Sequence, residues 1–305
     1  MTPLLGLLAL AAGLSGGECR VPHLSARLSA PSVRQGGIAV ATLTSDVSLD
    51  EARFYLGEVT NGIPMEPVPG GHRYRALVGV DFEGPTGKRP LRFEGRVACG
   101  EKGTAVREIV VRSGKFAVEK LRVAPEYVEP PESERERIKE DQEKVARVWK
   151  SGDPERHWSG PFVLPVDAPV RRESFGSRRV LNGESRSAHA GLDLAAASGQ
   201  PVRAPAPARV ALAEDLYFSG GTVILDHGEG LFTSYFHLSR IDVRVGEILS
   251  AGHAFAAVGA TGRATGPHLH WSAKIAGARI NPLGLLQLPK WPLSTTQSGL
   301  TGQSQ

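Results

Sequence analysis

Apolar and polar residues alternate in short runs through the first third of the chain. Val40-Ala-Thr-Leu-Thr44, Ala52-Arg-Phe-Tyr-Leu56, Tyr74-Arg-Ala-Leu-Val78, Leu91-Arg-Phe-Glu-Gly-Arg-Val97 and Val106-Arg-Glu-Ile-Val-Val111 each read as a strand. Successive side chains of a strand point to opposite faces, so this period buries one face and leaves the other polar. Asn61-Gly62, Pro69-Gly-Gly71, Gly84-Pro85 and Cys99-Gly100 supply turn chemistry between the runs. Short strands at this spacing predict an Ig-like antiparallel β-sandwich over residues 19–127.

The period then changes. Pro130-Pro131 ends the β pattern, and Glu132 to Lys150 contains neither Gly nor Pro and is dense in Glu, Lys and Arg. Ile138, Val145, Val148 and Trp149 fall near one face of a 3.6-residue repeat, which predicts one amphipathic helix joining two domains. Residues 128–170 are therefore expected to be a charged helix and linker with no chemistry of their own. Alternation returns, with many glycines, over 171–288, where Thr222–His227 and Leu231–Leu238 read as a hairpin around Gly228-Glu-Gly230. The fold class expected is mostly β: an N-terminal sandwich, a connecting helix and a C-terminal antiparallel β domain. Residues 289–305 are rich in Ser, Thr, Gln and Gly and are expected to form a flexible tail.

The first residues modify this picture. Met1 to Gly17 is apolar, short and ends in small residues, which suits a signal-peptide core over 1–18 more than a bilayer span, although no Lys or Arg precedes the apolar run. No other apolar run is long enough to cross a membrane, so no stable span is expected, and the chain is expected to be exported to the periplasm or cell envelope. Cys19 and Cys99 are the two cysteines. A lipid-anchored Cys19 would want a small residue before it, where Glu18 stands, so an intramolecular disulfide in an oxidising compartment is preferred over two free thiols. Of the 305 residues, 41% are hydrophobic and 22% charged, an ordinary globular balance that excludes a disordered chain and a polytopic membrane protein. The net charge of +4 tolerates an anionic partner without identifying one, and nucleic acid is not an expected partner.

The candidate chemistry lies in the histidines of the second β region. His189-Ala-Gly-Leu-Asp193 sets an imidazole and a carboxylate four apart, on one face if the segment is a strand, and His268-Leu-His270 sets two imidazoles two apart. Two histidines and an aspartate make a reasonable zinc shell with a position left for water. The set holds more histidines than a metal needs, and spare imidazoles beside a metal suit proton transfer. There is no H-E-x-x-H, so no glutamate base on a helix is on offer.

Six ordered blocks carry a resemblance: Phe175-Gly-Ser-Arg178, His189-Ala-Gly-Leu-Asp193, Pro201-Val-Arg-Ala204, Val223-Ile-Leu-Asp-His-Gly228, Tyr235-Phe-His-Leu238 and Thr261-Gly-Arg-Ala-Thr-Gly-Pro-His-Leu-His270. Residues 171–286 resemble the lysostaphin-like, or LytM-type, zinc metallopeptidases that cut peptidoglycan peptides. The resemblance implies His189, Asp193 and His270 as zinc ligands and His237 and His268 as unligated catalytic histidines. It implies zinc-dependent hydrolysis of the peptide cross-links of bacterial peptidoglycan, with a diaminopimelate bridge expected ahead of a glycine bridge. The alternative it carries is a silent envelope protein that binds and activates a cell-wall amidase, so an envelope protein partner is also in view. Arg178 is open between a substrate carboxylate and a plain salt bridge. His227 is expected to hydrogen-bond near the groove rather than join the site, and Tyr235 and Trp271 to be core rather than groove.

Overall fold

The computed structural model describes residues 19–57, 62–122, 126, 129–170, 174–185 and 187–291. The expected signal peptide and residues 292–305 of the expected tail lie outside the described residues.

The N-terminal strands are β1 (Leu24–Leu28), β2 (Ser32–Arg34), β3 (Ile38–Ser45), β4 (Glu51–Leu56), β5 (Ile63–Pro64), β6 (Glu66–Val68), β7 (Arg73–Gly79), β8 (Gly87–Arg96) and β9 (Lys102–Arg112). They form a four-stranded sheet ordered β1-β3-β7-β6 and a five-stranded sheet ordered β2-β9-β8-β4-β5. Each alternating run predicted from the sequence falls in one of these strands, with Val97 one residue past the end of β8. Its inward residues, among them Leu43, Phe54, Val78, Leu91, Phe93 and Ile109, close one core between the sheets. One pairing departs from the antiparallel expectation, because β2 runs parallel to β9. A disulfide joins Cys19 to Cys99, as expected. Closing a loop of 80 residues removes denatured-chain entropy worth about 4 kcal/mol on the chain-entropy account.

Strand β10 (Val118–Leu121) leads out of the sandwich and pairs in parallel with β11 (Arg178–Leu181), which turns back on β12 (Glu184–Ser185). Between β10 and β11 comes helix α1 (Arg135–Val148), preceded by a 3-10 turn at Glu132–Glu134. The apolar face read from the sequence is used: Val145, Val148 and Trp149 pack against Leu212, Leu216, Ile224 and Phe232. The rest of the supposed linker is not spacer. Trp158, Phe162 and Val166 are buried in the C-terminal core.

The C-terminal strands are β13 (Gly191–Leu194), β14 (Pro201–Arg203), β15 (Ala208–Leu216), β16 (Gly220–Asp226), β17 (Leu231–Ile241), β18 (Ile248–Leu249), β19 (Ala254–Val258), β20 (Leu269–Ile275) and β21 (Ala278–Ile280). Their main path is β13-β20-β17-β16-β15-β18, antiparallel throughout, with the predicted hairpin as β16 and β17. All seven residues of β16 are buried, so the strand is covered on both faces and its sequence lacks alternation.

The two β domains are joined by buried polar contacts. Arg156, whose side chain has no exposure, forks onto Glu66 of β6 with two bonds of 3.0 Å and donates to the carbonyl of Trp291 at 2.9 Å and to that of Trp158. The Trp291 indole N–H donates to the same Glu66 at 2.9 Å. Trp291 is 2% exposed, so this residue of the expected tail belongs to the core. A second joint sets Arg279 of β21 on Asp81, bidentate at 2.8 and 2.9 Å. A third is apolar: Phe82, Phe116 and Phe175 meet edge to face at 5.3–6.0 Å.

Removing Glu66 takes away the carboxylate onto which the buried Arg156 guanidinium forks. Glu66→Ala is expected to lower the unfolding free energy by about 3 kcal/mol or more. Urea titration followed by tryptophan fluorescence measures it. A midpoint unchanged from wild type would show that the fork contributes nothing.

Candidate metal centre

The site is assembled from cross-strand register. Asp193 on β13 lies directly opposite His270 on β20, and His270 lies opposite Phe236 on β17. Opposed residues of an antiparallel pair bring their Cβ atoms to about 5 Å, close enough for side chains to share a partner. His189 is not on the strand that the H-x-x-x-D spacing suggested. It precedes β13, held by backbone bonds from its N–H to Ser177 and from the Gly176 N–H to its own carbonyl.

Three ligand atoms converge. His189 Nε2 lies 2.9 Å from His270 Nδ1 and 3.0 Å from Asp193 Oδ1, and His270 Nδ1 lies 2.9 Å from the same Oδ1. Among the described residues this is the one group of His, Cys, Asp and Glu suited to a metal ion. The donor chemistry fits such an ion. His189 Nδ1 faces the Ser174 carbonyl at 2.9 Å, which places its proton there and leaves a lone pair on Nε2. Two imidazoles and a carboxylate aiming at one another have no proton arrangement that serves all three, whereas one divalent cation does.

The surrounding residues fix these ligands. Ser174 acts twice, since its hydroxyl also accepts the Asp193 N–H at 2.9 Å. Phe236 stacks flat on the His270 ring, with 4.9 Å between centroids. A Cβ at Gly191 would come 2.4 Å from His270 Nε2, so glycine is required beside that ring. Arg179 donates to Asp193 Oδ2 at 2.6 Å, holding the carboxylate oxygen that faces away from the convergence point. Arg178, the residue weighed in the sequence, is exposed on the other side of β11, and its neighbour makes the contact because a strand alternates. Ser174, Gly191 and Arg179 were missed in the sequence. Their one visible signal was position, close to the Phe175-Gly-Ser-Arg178 block and inside His189–Asp193.

Two further imidazoles face the same space. His237 sits on β17 at φ +64°, a left-handed conformation that costs a non-glycine residue on the order of 1 kcal/mol. Its N–H donates to the Ser219 carbonyl at 2.8 Å and its Nδ1 bonds the Thr261 carbonyl at 2.8 Å, which aims Nε2 inward. His268 bonds Gly266 O through Nδ1 at 2.8 Å, and its ring lies 4.8 Å from that of His237 and its Nε2 3.7 Å from Asp193 Oδ1. Burial works against the Asp193 charge, but the close approach of His189 and His270 outweighs it and holds the carboxyl well below the usual range. Burial pulls His270 down to about 3. Burial, and then the proximity of His268, pulls His237 down to about 4, so it is a neutral base at pH 7.

The remaining residues singled out from the sequence fall outside the centre. His227 is fully buried, bonded to Pro207 O at 2.9 Å and Thr233 Oγ1 at 2.8 Å. Tyr235 and Trp271 are core residues.

Comparison with known proteins places this geometry. Residues 187–282 match Peptidase family M23. A peptidoglycan DD-endopeptidase, ShyA of Vibrio cholerae, is 36% identical over 121 residues, 39% of this chain and 28% of the relative. The DD-carboxypeptidase/endopeptidase Mpg of Neisseria meningitidis is 39% identical over 97 residues, 32% of this chain and 22% of the relative. The chain thus spans less than a third of the length of these two relatives. A solved structure described as an M23 peptidase, from Pseudomonas aeruginosa, superposes with a TM-score of 0.61 at 28% identity, covering 85% of this chain and 96% of that one.

Metal retention should divide the histidines. His189→Ala, Asp193→Ala and His270→Ala are expected to lose the bound ion on dialysis, whereas His268→Ala and His237→Ala keep it, as read by elemental mass spectrometry. Equal loss in all five would refute the division. His227 supplies a separate test. Burial first, and then the cationic form of His157, holds its folded pKa near 3, against 6.5 for the free group. As pH falls, the unfolded chain therefore takes up the proton first. The His227 contribution is complete above about pH 6.5 and is lost toward pH 3, at up to about 1.4 kcal/mol per unit. Urea midpoints between pH 7 and 4 should fall less steeply for His227→Gln than for wild type.

Proposed function

Since the chain carries a domain of peptidase family M23 over residues 187–282, we propose that it is a zinc-dependent endopeptidase that hydrolyses the peptide cross-links of bacterial peptidoglycan at the envelope. The observation that carries this reading is the convergence of His189 Nε2, Asp193 Oδ1 and His270 Nδ1 within 3.0 Å of one another, with His237 and His268 beside them. The names of the relatives point to peptidoglycan peptides as substrate. Export agrees with the Cys19–Cys99 disulfide, which persists in oxidising compartments. Among the described residues no helix is long and apolar enough to cross a membrane.

His189, Asp193 and His270 are the zinc ligands in this reading. A zinc ion there supplies Lewis acidity, polarising the scissile carbonyl and bringing the pKa of water toward about 7. The protein supplies the proton chemistry. His237 is neutral and its Nδ1 is committed to Thr261 O, so its Nε2 lone pair can take a proton from the attacking water. His268, similarly committed through Nδ1, faces the same space, and whichever imidazole is protonated can donate to the oxyanion of the tetrahedral intermediate. Arg179 draws on the outer oxygen of Asp193 and keeps the inner one directed at the ion. The activator alternative is associated with lost ligand positions, and all five positions are filled here.

Sacculi digested with the full chain should show cross-linked dimers converted to monomers by mass spectrometry, and a chelator should stop the conversion. His237→Ala should retain zinc while turnover drops by about 10²–10⁴. Full activity in that variant would overturn the role given to His237. An intact zinc-loaded protein that leaves sacculi unchanged while stimulating an amidase would overturn the enzyme reading.

A further inference from the structure

The cleft beside the metal centre has a wall that belongs to neither β domain. Ile138, Asp141, Gln142, Val145 and Trp149 of the α1 segment recur at helical spacing, so they form one stripe. They line a cavity of about 450 Å³ whose opposite side carries His189, His237 and His270. That volume lies within the roughly 300–1,000 Å³ of small-ligand sites, so the helix stands off from the ligand atoms instead of filling the space above them.

The stripe is fixed in place. Arg137 bridges to Asp215 at 3.0 Å and Lys144 to Glu214 at 2.8 Å, both on β15. Trp149 meets Phe232 edge to face at 5.4 Å and carries the Lys274 ammonium 4.3 Å over its ring. Asp141 is the one buried residue of the helix. Its Oδ2 accepts the Tyr217 N–H at 2.8 Å, which fixes the carboxylate, and the residue lines the cavity. Among the described residues that line the cavity it is the one carboxylate. The nearest ammonium on its own helix, Lys144, is committed to Glu214.

We propose that α1 is a substrate-binding wall of this site and that Asp141 is a specificity-determining residue accepting a free ammonium group on the side chain of the bound stem peptide. The apolar members of the stripe cover the peptide's methylene and methyl groups. This rests on the peptidase reading and adds what the connecting helix contributes to it.

The test uses the zinc-loaded full chain and two substrates: purified cross-linked muropeptide dimers whose diaminopimelate amine is free, and the same dimers with that amine acetylated. Asp141→Asn keeps the shape and an oxygen for the Tyr217 N–H. It should raise KM for the free-amine dimer by about ten-fold, the size of one lost charge-assisted hydrogen bond, with kcat little changed. On the acetylated dimer the variant and wild type should have equal KM. Ala146→Trp, at an exposed position on the same wall, should raise KM for both dimers by narrowing the cavity. An equal loss on both dimers in Asp141→Asn would reduce Asp141 to a structural role. A gain in kcat/KM in either variant would make the helix a plug, and unchanged KM in both variants would remove it from the site. Any of these results sinks the proposal while leaving the peptidase reading intact. A wild-type chain that cuts neither dimer overturns the peptidase reading and this proposal together.

Discussion

Register between β13 and β20 is the constraint on which the metal centre depends. Asp193 and His270 converge on one point only because they are directly opposed, and His270 in turn meets Phe236 on β17 in the same row. A slip of one residue would turn Asp193 to the other face of the sheet. Core packing enforces the register. Leu192 and Leu194, which flank Asp193, are fully buried, as are Leu269 and Trp271 around His270. The apolar alternation that buries these four residues therefore also fixes where the ligands face.

Concentrating a carboxylate and several imidazoles in one half-buried spot carries a desolvation cost, and the structure meets it locally. Each imidazole of the centre except His270 has one ring nitrogen committed to a backbone carbonyl: Ser174 for His189, Thr261 for His237 and Gly266 for His268. A neutral ring with one nitrogen so engaged costs much less to bury than a cation, and it presents the other nitrogen as a base or a ligand. The left-handed backbone at His237 is a local cost of the same kind. A register irregularity in β17 around Leu238–Arg240 accompanies it and turns the ring inward. Strain retained within a buried strand agrees with the catalytic use proposed for that histidine.

Much of this was legible in the chain. The alternating runs located five strands of the sandwich, and the glycine-flanked hairpin located β16 and β17. H-x-x-x-D and H-x-H held the three residues that converge. What was not legible depended on packing between distant segments. Trp158 and Trp291 read as linker and tail because their neighbourhoods are polar, yet they meet edge to face at 5.4 Å around the Arg156–Glu66 fork. Arg178 and Arg179 are chemically equal in sequence, and only the strand phase decides which one faces Asp193. The parallel pairing of β10 with β11 bridges 56 intervening residues and has no local signature at all.

The connecting helix illustrates the same limit. A charged helix between two domains reads as solvated, because most of its residues are exposed and its apolar stripe is narrow. Here the stripe divides its work. Val145, Val148 and Trp149 close a small cluster on β15 to β17, and Ile138 and Gln142 continue the same side of the helix out over the cleft. Asp141 lies between the two groups, and its bond to the Tyr217 backbone ties the helix to the turn that leads from β15 into β16. That turn runs on to Ser219, whose carbonyl holds the His237 backbone. Helix, turn and imidazole are thus consecutive links of one path of backbone and hydrogen bonds. Because the sandwich, through Phe82, also packs on Phe175 beside Ser174, two sides of the metal centre are braced by parts of the chain outside the matched family segment.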